Sequence, residues 1–298
     1  MPEDSADDPL RDLCFNDAVF RQRYRGWRVL GRGSFATVVR TFCHDAARDV
    51  ALKIVVNLPP EQVQRIREEV RAAQSLTTPC LVQAYRLFDR EPITWSEMEL
   101  VEGSSLQQEL ERVAAVRAHI PLARAYDIAL VVSRCLWYAH RHGVLHRDLK
   151  PANILLPASG QPAAKVVDLG IARGAETEVV TPAGSIVGTP LFASPQAPAG
   201  KPVGTAHDAF ALCATLYALF GGGVLPYSVA RDERAGIFRH VPVEGRATDI
   251  CALVPPLDTT AGRLIMRGLS VRSFRRPSVK KIVLALERAQ GRLKAETR

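Results

Sequence analysis

The spacing of apolar residues changes character about a third of the way along the chain. Trp27–Leu30, Phe35–Phe42 and Val50–Val56 are short β-rich runs, and a Gly-x-Gly turn separates the first two. They predict a small antiparallel sheet. Glu61–Leu76 follows a Pro59-Pro60 start signal and places Val63, Ile66, Val70 and Ala73 at helical spacing, which predicts one helix. Two more strand-like pieces follow, Leu81–Phe88 and Ile93–Leu100, and Glu102-Gly103 reads as a crossover. Beyond it the period is helical: Leu106–Val116, Leu122–Arg141 with Gly143 as C-cap, Asp208–Phe220, and Leu264–Leu293 with breaks. The longest uncharged stretch, Ala209–Leu225, is short for a membrane span and is broken by three glycines, so it reads as a buried core helix. No internal repeat is evident.

Composition adds limits to this outline. The 298 residues are 47% hydrophobic and 23% charged, enough for a large core and incompatible with global disorder. Length allows two domains or one two-lobed domain. The net charge of +8 is unevenly placed. Arg263–Arg298 holds eleven Lys/Arg against Glu287 and Glu296, whereas the first twenty residues hold six acids against Arg11 alone. Residues 1–23 read as an acidic flexible extension with a short helix near Leu13–Phe20. The basic end lacks aromatic or glycine interleaving and reads as a solvated Arg-rich helical face, with no nucleic-acid partner expected. The six cysteines form no Cys-x-x-Cys pair, which argues against zinc and a disulfide framework and suits a reducing cytoplasm. The first residues lack a secretory n-region and h-region.

The candidate chemistry lies in four places. Gly31-Arg32-Gly33-Ser34-Phe35-Ala36-Thr37-Val38 sits between two strands, where glycines let a hairpin bring backbone N–H groups to phosphates. A strand follows it, so it is not a Rossmann fingerprint, and it lacks the Gly-Lys-Ser/Thr of a Walker A loop. Lys53 ends Val50-Ala51-Leu52-Lys53; it needs an anionic partner or must snorkel to water. On the next helix Glu69 lies nearer the apolar stripe than Glu68, which remains an alternative partner. His146-Arg147-Asp148-Leu149-Lys150-Pro151-Ala152-Asn153 runs into an apolar strand, and Asp168-Leu169-Gly170 follows the strand Lys165-Val166-Val167. Phosphoryl transfer needs metal-binding oxygens, a group that orients the nucleophile, and cations for the phosphates. These stretches supply all three.

Together they resemble the eukaryotic-type (Hanks-type) Ser/Thr protein kinases, most of all the bacterial members, over about Trp27–Gln290. The resemblance implies an α+β, bilobal protein-kinase-like fold. It would have a small antiparallel β-rich N-lobe with one helix C (residues 24–101) and a larger helical C-lobe (104–290), followed by a short basic tail (291–298). It implies ATP and Mg²⁺ or Mn²⁺ as cofactors. Gly31, Gly33 and Val38 would cover the nucleotide, with Ala51 among its contacts. Lys53 would hold the α- and β-phosphates and pair with Glu69. Met98 falls at the gatekeeper position, Glu99 and Leu100 in the hinge, and Leu155 under the adenine. Asp148 would orient the substrate hydroxyl and accept its proton, Lys150 would neutralise the γ-phosphate, and Asn153 and Asp168 would bind the metal ions.

The resemblance extends to Arg147, to an activation segment with Thr177, Thr181 and Ser185, and to Thr189, which would bond Asp148 and Lys150. It also covers Asp208 at the start of the core helix and Arg276 before Pro277. Ala36 replaces the third glycine, Leu169 the usual Phe, and Gln196 the Glu that pairs with an arginine like Arg276. The expected function is a protein Ser/Thr kinase, with protein substrates and a homodimer for phosphorylation of one copy by another. A pseudokinase scaffold and a small-molecule kinase of the aminoglycoside type are the alternatives. His140, His142 and His207 are expected to cap or solvate, and Trp137 and Tyr138 to be core.

Overall fold

The computed structural model describes residues 8–33, 36–168, 190–196, 204–225, 227–232, 237–242 and 248–296. The chain divides into two compact units, Met1–Thr77 with Val82–Glu102, and Thr78–Leu81 with Gly103–Arg298.

The first unit is built on a five-stranded antiparallel sheet. Its strands are β1 (Tyr24–Arg32), β2 (Thr37–Cys43), β3 (Arg48–Val56), β4 (Ala84–Arg90) and β5 (Ile93–Met98), ordered β1-β2-β3-β5-β4. The helix α3 (Pro60–Ser75) joins β3 to β4 and packs on β4. Strand alternation sorts the side chains onto two faces. The pairs Val38↔Lys53, Lys53↔Ser96 and Ala51↔Met98 put Val38, Ala51, Lys53 and Met98 on one face. Val39, Leu52, Ile54 and Trp95 belong to the other and are fully buried.

That second face is covered by the segment expected to be a flexible extension. From Asp8 onward the segment is folded: α1 (Pro9–Asn16) and α2 (Ala18–Arg23) lead directly into β1. Each helix has an acidic N-cap, Asp8 for α1 and Asp17 for α2, whose carboxylate accepts a backbone N–H of the first turn. Two of the six acids that suggested a flexible extension, Asp8 and Asp17, are therefore capping groups. Cys14 and Phe20 are 0% exposed, and Phe20 meets Trp95 edge-on at 5.2 Å and Tyr24 at 4.9 Å between ring centroids. Beneath them Glu97 is buried and accepts from Tyr24 Oη at 2.7 Å and Arg23 Nε at 3.1 Å.

The second unit centres on α5 (Leu122–Arg141) and α6 (Thr205–Phe220). Nearly every side chain of α6 is buried, as expected for a helix apolar on all sides. The helix α9 (Val279–Glu296) packs Ile282, Val283 and Leu286 into the core against α5, and α8 (Thr259–Gly268) packs on α6 and α9. Gly268 is required by this packing, since a Cβ there would lie 2.1 Å from Cys213 Sγ. The basic end is no tail: α9 runs to Glu296, with Arg292 paired to Asp258 at 2.5 Å and Arg134 of α5 paired to Glu287 at 2.8 Å. A short helix α4 (Leu106–Ala115) carries a Ser105/Gln108 capping box. The three-stranded sheet of β6 (Gly103–Ser105), β7 (Ile154–Pro157) and β8 (Lys165–Val166) and the hairpin of β9 (Tyr227–Asp232) and β10 (Ile237–Pro242) complete the unit, with the short α7 (Ile250–Leu253). Trp137 and Tyr138 are half-buried, not core.

Candidate active site

The loop of residues 146–153 is fixed from below by one buried carboxylate. Asp208, 0% exposed in the first turn of α6, accepts the His146 N–H at Oδ2 and the Arg147 N–H at Oδ1, both at 2.8 Å. His140 Nε2 of α5 lies 2.7 Å from Asp208 Oδ2. Burial pushes the Asp208 carboxyl up, but the His140 hydrogen bond, the neighbouring His146 and the two N–H donors outweigh it and hold the group below the usual carboxylate value. Arg147 consequently sits at φ +64°, a left-handed conformation costly for a non-glycine residue.

Above this anchor three site residues meet. Lys150 Nζ contacts Asp148 Oδ2 at 2.9 Å and Oδ1 at 3.2 Å, and Asn153 Nδ2 donates to the Asp148 carbonyl at 2.8 Å and to Oδ2 at 3.0 Å. A single helical turn, Pro151–Asn153, sets this spacing. The fourth residue arrives through the sheet. β7 and β8 are antiparallel with Ile154 opposite Val166, so Asn153, just before β7, and Asp168, just after β8, emerge at the same end. The Val167 N–H to Asn153 carbonyl bond of 3.0 Å closes that end, and Asp168 is also left-handed at φ +54°. Leu155 lies on β7 opposite Lys165.

In the first unit the nucleotide-binding candidates share one sheet face. Gly31 pairs with Val38, and the hairpin tip is closed by a 2.8 Å bond from the Gly33 N–H to the Ala36 carbonyl. A Cβ at Gly31 would touch no protein atom within 4 Å, so packing does not demand glycine there. Glu69 lies on the half-buried side of α3 beside buried Val70, whereas Glu68 is exposed and takes a 3.3 Å bond from Gln64 along the helix. The Glu99 N–H is committed to the Gln83 carbonyl at 2.9 Å, and Leu100 is half-buried. Ser34, Phe35, Leu169, Thr177, Thr181, Ser185 and Thr189 lie outside the described residues.

Two histidines expected to cap or solvate are structural parts of the site. His140 holds Asp208. His207 is buried between Ser194 Oγ, 2.9 Å from Nδ1, and the Arg147 carbonyl, 3.3 Å from Nε2. A neutral ring with its proton on Nε2 satisfies both partners, and burial lowers the His207 pKa in agreement. The position next to Asp208 was the signal in the sequence that would have marked it. Gln196 accepts from Arg276 NH2 at 2.6 Å, a neutral acceptor where a carboxylate would give an ion pair.

The sequence model of the protein kinase domain family ("Protein kinase domain") matches residues 24–285. The chain belongs to the protein kinase family. It is 33% identical over 263 residues to the DNA damage-responsive serine/threonine-protein kinase RqkA of Deinococcus radiodurans, covering 86% of this chain and 37% of that protein. It is 31% identical over 250 residues to the serine/threonine-protein kinase PknB of Mycobacterium leprae, covering 78% and 39%. The chain thus spans about two fifths of the length of these curated relatives. Among solved structures it matches the kinase domain of Mycobacterium tuberculosis PknI with a TM-score of 0.67 at 24% identity, covering 89% of this chain and 97% of that one. The fold is therefore that of the bacterial Hanks-type kinases: an antiparallel β-rich unit with one long helix, and a helical unit.

Proposed function

We propose that this protein kinase, through a catalytic domain of residues 24–290, transfers the γ-phosphate of ATP to Ser or Thr hydroxyls of proteins. The observation that carries the reading is the convergence of Lys150 and Asn153 on the Asp148 carboxylate, each within 3.2 Å of it, at the sheet end where Asp168 emerges. Asp148 accepts the proton of the incoming hydroxyl while its oxygen bonds to the γ-phosphorus and the bond to the β–γ bridging oxygen breaks. Lys150, 2.9 Å from Asp148, neutralises charge on the transferred group. Lys53, aided by Glu69, holds the α- and β-phosphates. Gly31, Gly33, Val38, Ala51, Met98, Glu99, Leu100 and Leu155 bind the rest of the nucleotide.

The donor set suits Mg²⁺ or Mn²⁺. The Asn153 amide nitrogen is committed to Asp148, which turns its oxygen outward, and Asp168 adds a carboxylate. Two hard oxygens with nucleotide phosphates make a usual Mg²⁺ set. Among the described residues no group of three His, Cys, Asp or Glu could hold a metal by itself. When bound, the ion would spread charge over the phosphates. No observation favours the pseudokinase reading, since Ala36 and Gln196 remove no reactive group. Purified protein with ATP and Mg²⁺ should label itself or a generic protein substrate, and Asp148→Asn, Lys53→Met and Asp168→Ala should each abolish labelling. Full labelling by Asp168→Ala would sink the metal assignment.

Regulation by phosphate on the segment after Asp168 belongs to the same reading. Arg147 Nε is buried without a hydrogen-bond partner among the described residues, a group that a phosphate on Thr181 or Ser185 would satisfy. Mass spectrometry of fully active protein should find phosphate between residues 170 and 190, placed there by a second copy of the chain; its absence refutes the idea. No described helix is long and apolar enough to cross a membrane, and we place the domain in the cytoplasm with its ATP.

A further inference from the structure

Two cysteines separated by 55 positions in sequence meet in the second unit. Cys135 is buried on α5, and its Sγ lies 3.3 Å from the carbonyl oxygen of Cys80. Cys80 lies in the short segment before β4, between exposed Pro79 and buried Leu81, and is itself partly exposed. The Cys135 thiol acts on the Cys80 thiol from beside the Cys80 carbonyl, the Cys80 Sγ is 3.1 Å from Thr78 Oγ1, and Lys165 of β8 acts on it electrostatically. These partners favour the thiolate against the cost of burial and bring the Cys80 pKa down to about 7.

The other cysteines differ. Burial and acidic neighbours push Cys14 up to about 12, burial does the same for Cys213, and Cys251 is raised by burial and by Asp249. Cys43 is fully buried under α1 and α2. Cys80 therefore combines three properties absent together elsewhere among the six: access to solvent, a stabilised thiolate, and a second thiol in contact. An exposed thiolate beside a sheltered second thiol is the arrangement of an oxidant-sensitive cysteine with its resolving partner.

We propose that Cys80 and Cys135 form a peroxide-oxidisable dithiol, with Cys80 the attacking and Cys135 the resolving sulfur. The Cys80 thiolate attacks one oxygen of hydrogen peroxide. The O–O bond breaks, Cys80 becomes a sulfenic acid, and the departing hydroxide is protonated to water. Cys135 then attacks the Cys80 sulfur, the S–S bond forms, the S–O bond breaks, and the hydroxide leaves as water with the Cys135 proton. Two thiols are oxidised by two electrons and one peroxide is reduced to two waters. The site is coupled to the strand leading to Asp168, because the Cys80 carbonyl accepts the Val166 N–H at 2.8 Å and Leu81 bridges to Val166. A disulfide would tie this segment, α5 and β8 together.

The test uses the full chain, reduced and then exposed to a small excess of hydrogen peroxide at pH 7. Peptide mapping without reductant should recover one cross-linked pair, Cys80 with Cys135, leaving four of the six thiols free, and dithiothreitol should reverse it. Iodoacetamide on untreated protein should alkylate Cys80 about ten-fold faster than the comparably exposed Cys251 at pH 7, following the thiolate populations. In Cys135→Ser, Cys80 should stop at the sulfenic acid and be captured by dimedone. Six free thiols after peroxide, a different pairing, or Cys80 alkylated no faster than Cys251 would each overturn the proposal. The mapping and alkylation use the wild-type chain, so a folding defect in the variant does not blur the result.

Discussion

At the scale of single residues, the site was legible wherever a side chain's role is set by neighbours in sequence. Asp148, Lys150 and Asn153 fall within six positions, and a turn of helix is enough to bring them together. Residues whose role depends on a distant element were not legible. His207 resembled a loop histidine until α6 placed it between Ser194 and Arg147. Its protonation has a measurable consequence. Burial holds both His146 and His207 below the ordinary value of 6.5, so the unfolded chain takes up protons near that pH before the folded chain does. Stability should be full above about pH 6.5 and decline as pH falls below it. Asp208 is depressed and loses its contribution only below the ordinary carboxylate range, so the histidines dominate between pH 6.5 and 5. Urea unfolding at pH 7.5, 6 and 5 should show the decline, and His207→Gln, which keeps a donor and an acceptor without titrating, should show a shallower one. Equal slopes in the two proteins would contradict it. Arg276 gives a second residue-scale prediction. Its guanidinium is buried and, among the described residues, bonded to Gln196 and to carbonyls, and its pKa falls to about 10 through burial. Gln196→Glu should replace a neutral acceptor by a carboxylate, turn the bond into an ion pair and add about 1 kcal/mol. A melting temperature higher by about 2–4 °C would show it.

Elements with a strong period were easy to place from sequence. The interior of α6 is apolar on every side, α5 ends where Gly143 turns left-handed at φ +75°, and the first sheet is antiparallel as read. At the N-terminal end one short helix near Leu13–Phe20 was read where two stand, in a segment taken as flexible, because six acids among the first twenty residues outweighed a sparse apolar stripe of Leu10, Leu13, Cys14 and Phe20. The Asp8-Pro9 start, an N-cap followed by proline, was the overlooked signal. The three-residue β6 and the β9–β10 hairpin were also missed: the first is too short for a period to register. Because α1 and α2 cover an apolar sheet face, Phe20→Ala should cost about 3–5 kcal/mol in chemical denaturation, as for other buried aromatics. A chain starting at Tyr24 should expose Trp95 and aggregate. Asp8 extends the effect toward the nucleotide loop: its carboxylate, 3% exposed, accepts from Trp27 Nε1 at 3.0 Å and from Arg32 NH2 at 2.7 Å, and Arg32 lies between Gly31 and Gly33. Asp8→Asn should raise KM for ATP several-fold with little change in kcat. An unchanged KM would confine the helices to a purely stabilising role.

At the scale of the molecule, the division into two units gives a way to separate binding from chemistry. Lys53 belongs to one unit and Asp148 to the other. A ligand that binds only the folded state stabilises it by RT ln(1 + [L]/Kd), about 2.7 kcal/mol at one hundred times Kd. ATP with Mg²⁺ should therefore raise the melting temperature of the wild-type protein and label a protein substrate. Asp148→Asn keeps the side-chain shape and one oxygen that can accept from Lys150 and Asn153 while removing the proposed proton acceptor. It should retain most of the thermal shift and lose transfer by about 10²–10⁴-fold. Lys53→Met removes the cation proposed to hold the phosphates, so it should lose both the shift and the transfer. A wild-type protein that shifts without transferring would be a nucleotide-binding scaffold, and one that does neither would be a kinase fold with its chemistry gone. Only a shift with transfer, divided between the two variants in this way, fits a working Ser/Thr kinase.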